Sequence, residues 1–284
     1  MSNPLDTFFA SKKVLITGGS SGIGLALASL LVQMNASVCI LARRPEPLQK
    51  AHAELLALRK SPETEVLCIP ADVSDPPSLK EHINQLISQW GKIDILINSA
   101  GVAHPGEFWQ LDEEIFTKMM QINYFGTVNA IRAVLPAMLA RKEGIIVNIS
   151  SVVGYLNIYG YTAYGASKYA VTGLSDALRM ELKPKGIQVS LVYPPDTNTP
   201  QLAYENQFKP AVTKALASSG GIVQPEQVAR EILNGISRKK YIILPGFENK
   251  LIYFAVHLLG KGLTYTLLDR MVASALQSKT AAKQ

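Results

Sequence analysis

Val14-Leu15-Ile16-Thr17-Gly18-Gly19-Ser20-Ser21-Gly22-Ile23-Gly24 decides the fold of this chain. An apolar β-branched run ends in a glycine-rich turn, and the turn opens a helical pattern over Gly22–Asn35. Glycine lets a backbone turn tightly and approach a phosphate, and the free N–H groups of a helix N-terminus attract one. The glycines fall as G-x-x-x-G-x-G rather than G-x-G-x-x-G. Taken alone, a structural turn explains them as well as a nucleotide site does. Their place directly after the first strand favours the nucleotide, with Gly18, Ser20, Ser21, Gly22 and Ile23 as the candidate phosphate contacts.

Working outward, short β-branched runs alternate with longer helical patterns, which argues a parallel sheet covered on both faces. Strands are expected at Lys13–Thr17, Ser37–Ala42, Glu65–Ala71, Ile93–Asn98, Gly144–Ser150, Gln188–Tyr193 and Tyr241–Leu244. Helices are expected at Gly22–Asn35, Pro47–Lys60, Pro77–Trp90, Asp112–Arg141, Tyr161–Leu182 and Pro225–Arg238. The fold class is therefore α/β, a Rossmann-type doubly wound parallel sheet with a C-terminal helical extension. Residues 1–237 form the dinucleotide-binding catalytic domain, and 238–284 add the last strand and a tail to it. In such sheets ligands bind beyond the carboxyl ends of the strands. Gly18, Asp72, Asn98, Ser151 and Pro194 all fall at or just after strand ends, on one rim.

At 284 residues and 48% hydrophobic content the chain can bury a large single core. Met1–Ser11 has no basic stretch of the signal-peptide kind, so a cytoplasmic protein is expected. Cys39 and Cys68 lie in apolar runs and read as buried free thiols, and the four histidines lack ligand spacing, so no metal site is expected. The net charge of +6 resides in the tail, where eight basic residues of 238–284 face only Glu248 and Asp269. A neutral body with one basic, apolar tail points away from nucleic acid and towards an anionic membrane surface.

The second strand ends in Arg43-Arg44 where an NAD site usually carries an acid for the ribose 2′-OH. A guanidinium suits a 2′-phosphate, so NADP is the expected cofactor. Tyr164 and Lys168 stand at i and i+4, one turn apart on one helix face, and Ser151 lies thirteen residues before the tyrosine. A nearby ammonium lowers a phenol's pKa and makes it an acid or base near neutrality. Tyr155, Tyr159 and Tyr161 compete by composition, and Ser150 competes with Ser151, although strand alternation sends its side chain the other way. Asp94 and Asp176 read as surface or capping carboxylates, and His104 as a rim residue.

The glycine turn, Ser151 and Tyr164-x-x-x-Lys168 together resemble the short-chain dehydrogenases/reductases, from about Lys13 to Leu244. The resemblance implies a catalytic set of Ser151, Tyr164, Lys168 and Asn123. In it Asn123 kinks its helix and positions a water for a proton relay, while Lys168 also holds the nicotinamide ribose. It implies cofactor contacts from Arg43, which it favours over Arg44, from Asp72-Val73 at adenine, and from the turn Asn98-Ser99-Ala100-Gly101. Pro194, Thr197 and Thr199 would meet the nicotinamide, the threonines as hydroxyl donors.

The form Pro194-Pro195-Asp196-Thr197-Asn198-Thr199-Pro200 resembles the 3-ketodihydrosphingosine reductases within that family and implies a long-chain lipid ketone as substrate. Asp196 either fixes the turn or reaches a polar head group. Residues 202–221 read as an apolar substrate lid, a composition that equally suits steroids, retinoids or 3-oxoacyl thioesters. A non-catalytic NADP-sensing protein would be expected to have lost Tyr164 or Lys168, and both are here. The family also implies a homodimer or tetramer through the helices Asp112–Arg141 and Tyr161–Leu182.

The tail holds two helical segments, Leu251–Gly260 and Leu263–Leu276, each short of the about 20 apolar residues of a spanning helix. Two readings stay open: both segments pack on the body or a partner subunit, or they attach to a membrane surface through Lys239, Lys240, Lys250, Lys261 and Arg270.

Overall fold

The computed structural model of the protein describes residues 4–217 and 221–281, without the side chains of 261 and 278–281. Lys261 as a membrane contact and part of the 202–221 lid thus lie outside the described residues. Seven strands are present: β1 (Lys13–Thr17), β2 (Ser37–Ala42), β3 (Val66–Pro70), β4 (Ile95–Asn98), β5 (Gly144–Ile149), β6 (Ile187–Val192) and β7 (Ile242–Ile243). They pair in parallel in the order β3-β2-β1-β4-β5-β6-β7. The helices are α1 (Pro4–Phe9), α2 (Gly22–Gln33), α3 (Pro45–Ala57), α4 (Pro76–Trp90), α5 (Glu113–Met119), α6 (Gly126–Arg141), α7 (Thr162–Leu182), α8 (Pro200–Phe208), α9 (Ala211–Ala217), α10 (Pro225–Ser237) and α11 (Phe247–Ala281).

Strand alternation divides the core into two layers. Val14 and Ile16 face α2 and α10, where they meet Leu27, Leu31, Ile232 and Ile236. Leu15 and Leu96 point to the opposite face, against Ile83 and Leu86 of α4 and Val134 and Met138 of α6. Asp94, read from sequence as a surface carboxylate, is 4% exposed. It accepts the Lys13 N–H at 2.9 Å and pairs with Lys92 at 3.0 Å, tying the entry of β4 to that of β1.

The chain winds outward from β1 to β3, then returns to place β4 on the other side of β1. A crevice opens where the winding reverses. Gly18 sits at its floor with φ +68°, and a Cβ there would lie 2.6 Å from the Ala100 backbone, so the turn needs glycine twice over.

The helix expected over Asp112–Arg141 forms, but its winding changes part-way. A π-helical turn at Met120–Phe125 separates α5 from α6, and Asn123 lies inside it. The Asn123 carbonyl accepts the Thr127 hydroxyl at 2.8 Å, while its amide bonds the Val102 backbone. Widened turns of this kind accommodate side chains recruited to functional sites.

The tail forms one helix interrupted at Gly260 (φ +71°, ψ +166°), and its arms, Phe247–Gly260 and Gly262–Gln277, bend by 117°. Asn249 anchors the first arm by accepting the Tyr155 hydroxyl at 2.9 Å and donating to the Tyr193 carbonyl at 2.6 Å. Tyr253, Val256 and Leu268 pack against Tyr155, Val171 and Tyr193. Phe247, Phe254 and Leu258 remain largely exposed, at 73%, 66% and 87%. The arms therefore pack on the body along one side and leave an apolar side uncovered.

Candidate active site

A cleft of about 920 Å³ runs along the rim, from the glycine turn past the ends of β4 and β5 to the lid and the tail. Of the residues singled out in the sequence, Gly18, Ser20, Ser21, Gly22, Ile23, Arg43, Arg44, Asp72, Val73, Ala100 and Gly101 line its cofactor half. Ser151, Tyr164, Lys168, Pro194, Thr197 and Thr199 line its middle. Asn98 and Asn123 do not reach the wall.

The turn suits a dinucleotide phosphate. Ser21 is the N-cap of α2, yet its hydroxyl makes no capping bond and stays free for an anion at the helix N-terminus. An acid from the end of the neighbouring strand stands beside the arginine pair. Asp72 lies 3.6 Å from Arg43, and its other oxygen accepts the Ser74 backbone and hydroxyl at 2.9 and 2.6 Å. Burial raises the Asp72 carboxyl, and the Ser74 bonds with the Arg43 charge bring it below the usual value. Arg44 is exposed and makes no ion pair among the described residues. A polar end with two guanidinium groups and free N–H donors fits NADP.

Asn98 is not a cleft residue. Its amide donates to Asn148 at 2.9 Å, and Asn148 donates to Ser175 of α7 at 2.9 Å. This polar ladder ties β4, β5 and α7 together beneath the site. Asn123 likewise acts from behind: it holds Val102 through N–H and carbonyl at 2.8 and 2.9 Å and donates to Ser167 at 2.9 Å. Its Oδ1 and the Lys168 ammonium flank the Gly101 α-carbon, where a Cβ would meet them at 3.3 and 3.5 Å.

Tyr164 and Lys168 share one face of α7. Lys168 is 5% exposed, donates to the Ile149 carbonyl at 2.9 Å and lies 5.7 Å from the Tyr164 ring centre. Burial lowers its pKa to about 8, against the opposing pull of the Glu205 charge. Tyr164 departs from expectation, because its hydroxyl is raised, not lowered. Burial is the main cause and the Glu205 charge adds to it, while hydrogen bonds from Ser151 and Gln201 pull the other way. Lys168 spends its ammonium on a carbonyl, so it does not dominate the phenol.

Ser150 borders the cleft beside Ser151, but its hydroxyl is committed to the Lys168 carbonyl at 3.0 Å. Tyr161 is committed elsewhere, with its hydroxyl on Glu205 at 2.6 Å. Thr197 gives its hydroxyl proton to the Pro195 carbonyl at 2.8 Å, which corrects its expected role as a free donor. Thr199 caps α8 by accepting the Leu202 N–H at 3.2 Å, which leaves its own O–H free. Asp196 pairs with the buried Lys209 at 3.1 Å, so it fixes the turn. His104 bonds the Tyr204 hydroxyl at 2.8 Å on the cleft rim.

Two contributors escaped the sequence reading. Glu205, 6% exposed, projects into the wall from the lid helix α8. From the tail, Ile252, Leu268 and Met271 complete the apolar end. Helical spacing made Glu205 one more polar residue in an apolar lid, and the tail had no motif to attach it to the site.

The buried ammonium has a measurable signature. An unfolded lysine keeps its proton up to about 10.5, whereas folded Lys168 releases it near 8. Between those values the unfolded chain binds more protons, so folding stability rises with pH. Relative to Lys168→Met, the wild type should gain about 1.5 kcal/mol between pH 8 and pH 9.5 in urea unfolding. A difference independent of pH would show that the ammonium is not buried at a cost.

The short chain dehydrogenase family matches residues 12–210. The 3-ketodihydrosphingosine reductase of Bos taurus is 41% identical over 221 residues, covering 78% of this chain and 67% of its own. The enzyme of the same name from Dictyostelium discoideum is 39% identical over 254 residues, covering 84% and 76%. Among solved structures, a short-chain dehydrogenase from Sphingobium yanoikuyae in complex with NADPH superposes with a TM-score of 0.75 at 28% identity, covering 89% of this chain and 95% of that one. With the parallel sheet, the glycine turn and the Tyr164–Lys168 helix in place, the chain belongs to the short chain dehydrogenase family of oxidoreductases.

Proposed function

We propose that the protein reduces a long-chain lipid ketone with NADPH, converting 3-ketodihydrosphingosine to dihydrosphingosine. The observation that carries this reading is a single cleft with phosphate donors and two arginines at one end, Ser151, Tyr164 and Lys168 at its middle, and an apolar wall beyond. The names of the Bos taurus and Dictyostelium discoideum relatives and the NADPH of the Sphingobium yanoikuyae structure support it.

The Gly18–Gly22 turn and the α2 N-terminus hold the pyrophosphate, and Arg43 and Arg44 take the 2′-phosphate. NADPH, when bound, supplies the hydride. Ser151 and Tyr164 hold the substrate carbonyl oxygen, where negative charge develops. Tyr164, kept protonated by its raised pKa, donates its proton to that oxygen. Lys168, which also holds the nicotinamide ribose, then stabilises the phenolate that remains. Asn123 positions this apparatus by clamping Val102 to Ser167.

A homodimer or tetramer through α6 and α7 belongs to the same reading; Met180 on α7 is 67% exposed. So does peripheral attachment to an anionic membrane through the uncovered side of the tail. Among the described residues no single helix is long and apolar enough to cross a membrane, although the two bent arms together have the length and composition. Lys250 is paired with Glu231 at 2.9 Å, while Lys239, Lys240 and Arg270 are exposed, as are Phe254 and Leu258.

Tyr164→Phe should bind NADPH nearly as the wild type does and lose turnover of 3-ketodihydrosphingosine by a factor of about 100 or more. Product analysis by mass spectrometry reads this, and retained turnover would move the acid elsewhere. Arg43→Ala should weaken NADPH by roughly ten- to a hundredfold, the value of a charged hydrogen bond, and NADH far less. Equal losses in a binding titration would remove the assignment. For the tail, the wild type should co-float with anionic liposomes, and Phe254→Ser with Leu258→Ser should stay in solution. Equal flotation of the two, or none, would refute attachment by that surface.

A further inference from the structure

Glu205 is a carboxylate in the substrate cleft that neither the fold nor the hydride-transfer chemistry needs. It is 6% exposed and bounds the cavity beside Tyr164. Its Oε2 accepts the Tyr161 hydroxyl at 2.6 Å and its Oε1 accepts the Gln201 amide at 2.9 Å. The Glu205 charge is felt at the Tyr164 hydroxyl, and the Gln201 side chain lies between the two groups on the cleft wall. Tyr161, which holds Glu205, has its ring centre 5.7 Å from that of Tyr164, so the carboxylate and the Tyr164 phenol bound the same part of the cleft.

The charges around it do not balance. Two carboxylates, Asp196 and Glu205, face Lys209 at this end of the cleft. Lys209 closes on Asp196 at 3.1 Å, and among the described residues no cation lies within salt-bridge distance of Glu205. Burial pushes its carboxyl above the usual range, with Asp196 adding to the rise and Tyr161, Gln201 and Lys209 opposing it. A buried acid of this kind is costly without a cation. Each of its oxygens retains a further acceptor site, since a carboxylate offers about four in all.

We propose that Glu205 is the binding group for an ammonium on the carbon next to the reacting carbonyl, making the cleft selective for 2-amino ketones over plain ketones. With the carbonyl oxygen on Tyr164, an amine one carbon away spans the gap to Glu205. An ammonium arriving there supplies the missing counter-charge and adds a charge-assisted hydrogen bond. The amino ketone 3-ketodihydrosphingosine has this arrangement, so the inference rests on the proposed function and deepens it. Tyr161 and Gln201 then act as positioning residues that hold the carboxylate towards the substrate.

The experiment compares kcat/KM for 3-ketodihydrosphingosine with that for the same long-chain ketone lacking the amine, in wild type and Glu205→Gln. The isosteric amide keeps the shape and loses the charge. The ratio of the two values should fall by about tenfold or more in the variant, whatever happens to either value alone. A ratio changed by less than about twofold in a wild type active on the amino ketone would overturn the assignment of Glu205 alone. A wild type that reduces only the plain ketone would overturn the proposed substrate, and the ammonium site with it. Should the variant not fold, inhibition of the wild type decides: dodecylamine should bind at least about tenfold more tightly than dodecanol, and equal inhibition would refute the site.

Discussion

Everything at the rim depends on how closely the Gly18 α-carbon approaches the backbone of Ala100. A single added carbon there would sit 2.6 Å from main-chain atoms that have nowhere to go. That contact lets the first and fourth strands run side by side to their ends and then part abruptly. The parting creates the crevice, and the free N–H groups of α2 face into it. Gly24 makes the same demand one turn later, since a Cβ would lie 2.3 Å from the Gly18 carbonyl. Phosphate affinity and sheet geometry are thus one steric requirement met by hydrogen atoms in place of side chains.

Behind the wall, polar groups do work that an apolar core could not do. Asn98, Asn148 and Ser175 form a continuous hydrogen-bonded row across two strands and a helix. Asn123 and Ser167 form a second row, and Ser150 reaches the Lys168 carbonyl. Apolar contacts tolerate sliding, whereas directional hydrogen bonds between buried groups admit few arrangements. The rows fix α7 in rotation and height relative to the sheet, which is what places a tyrosine and a lysine at a defined depth in the cleft.

The parts legible in the sequence were those with local spacing. Tyr164 and Lys168 share a face because of helical geometry, and the glycine turn follows its strand directly. Asn98 misled because its place at a strand end said nothing about which way its amide turns. The family resemblance placed Asn123 at an irregularity of its helix, but no residue pattern announced a π-helical turn. The raised Tyr164 hydroxyl was misjudged because its main causes are burial and a carboxylate 41 residues away in the sequence. Glu205 itself was invisible for the same reason. Its significance comes from partners on α7 and from the ion pair Asp196–Lys209, and long-range electrostatics leaves no period in a sequence.

The cleft draws its walls from parts of the chain with very different freedom to vary. Its cofactor half is built from strand ends and backbone clashes, where almost any change is felt by the whole sheet. Its far half is lent by the lid and by a helix bent at Gly260, attached to the body through Asn249, the Lys250–Glu231 ion pair and a cluster of aromatic rings. An inherited change of side chain at Ile252, Leu268 or Met271 alters the shape offered to a guest without disturbing the atoms that handle hydride and proton. The architecture is therefore divisible for evolution. Redox chemistry is held constant by the sheet, while the guest list can be rewritten from the C-terminal arms.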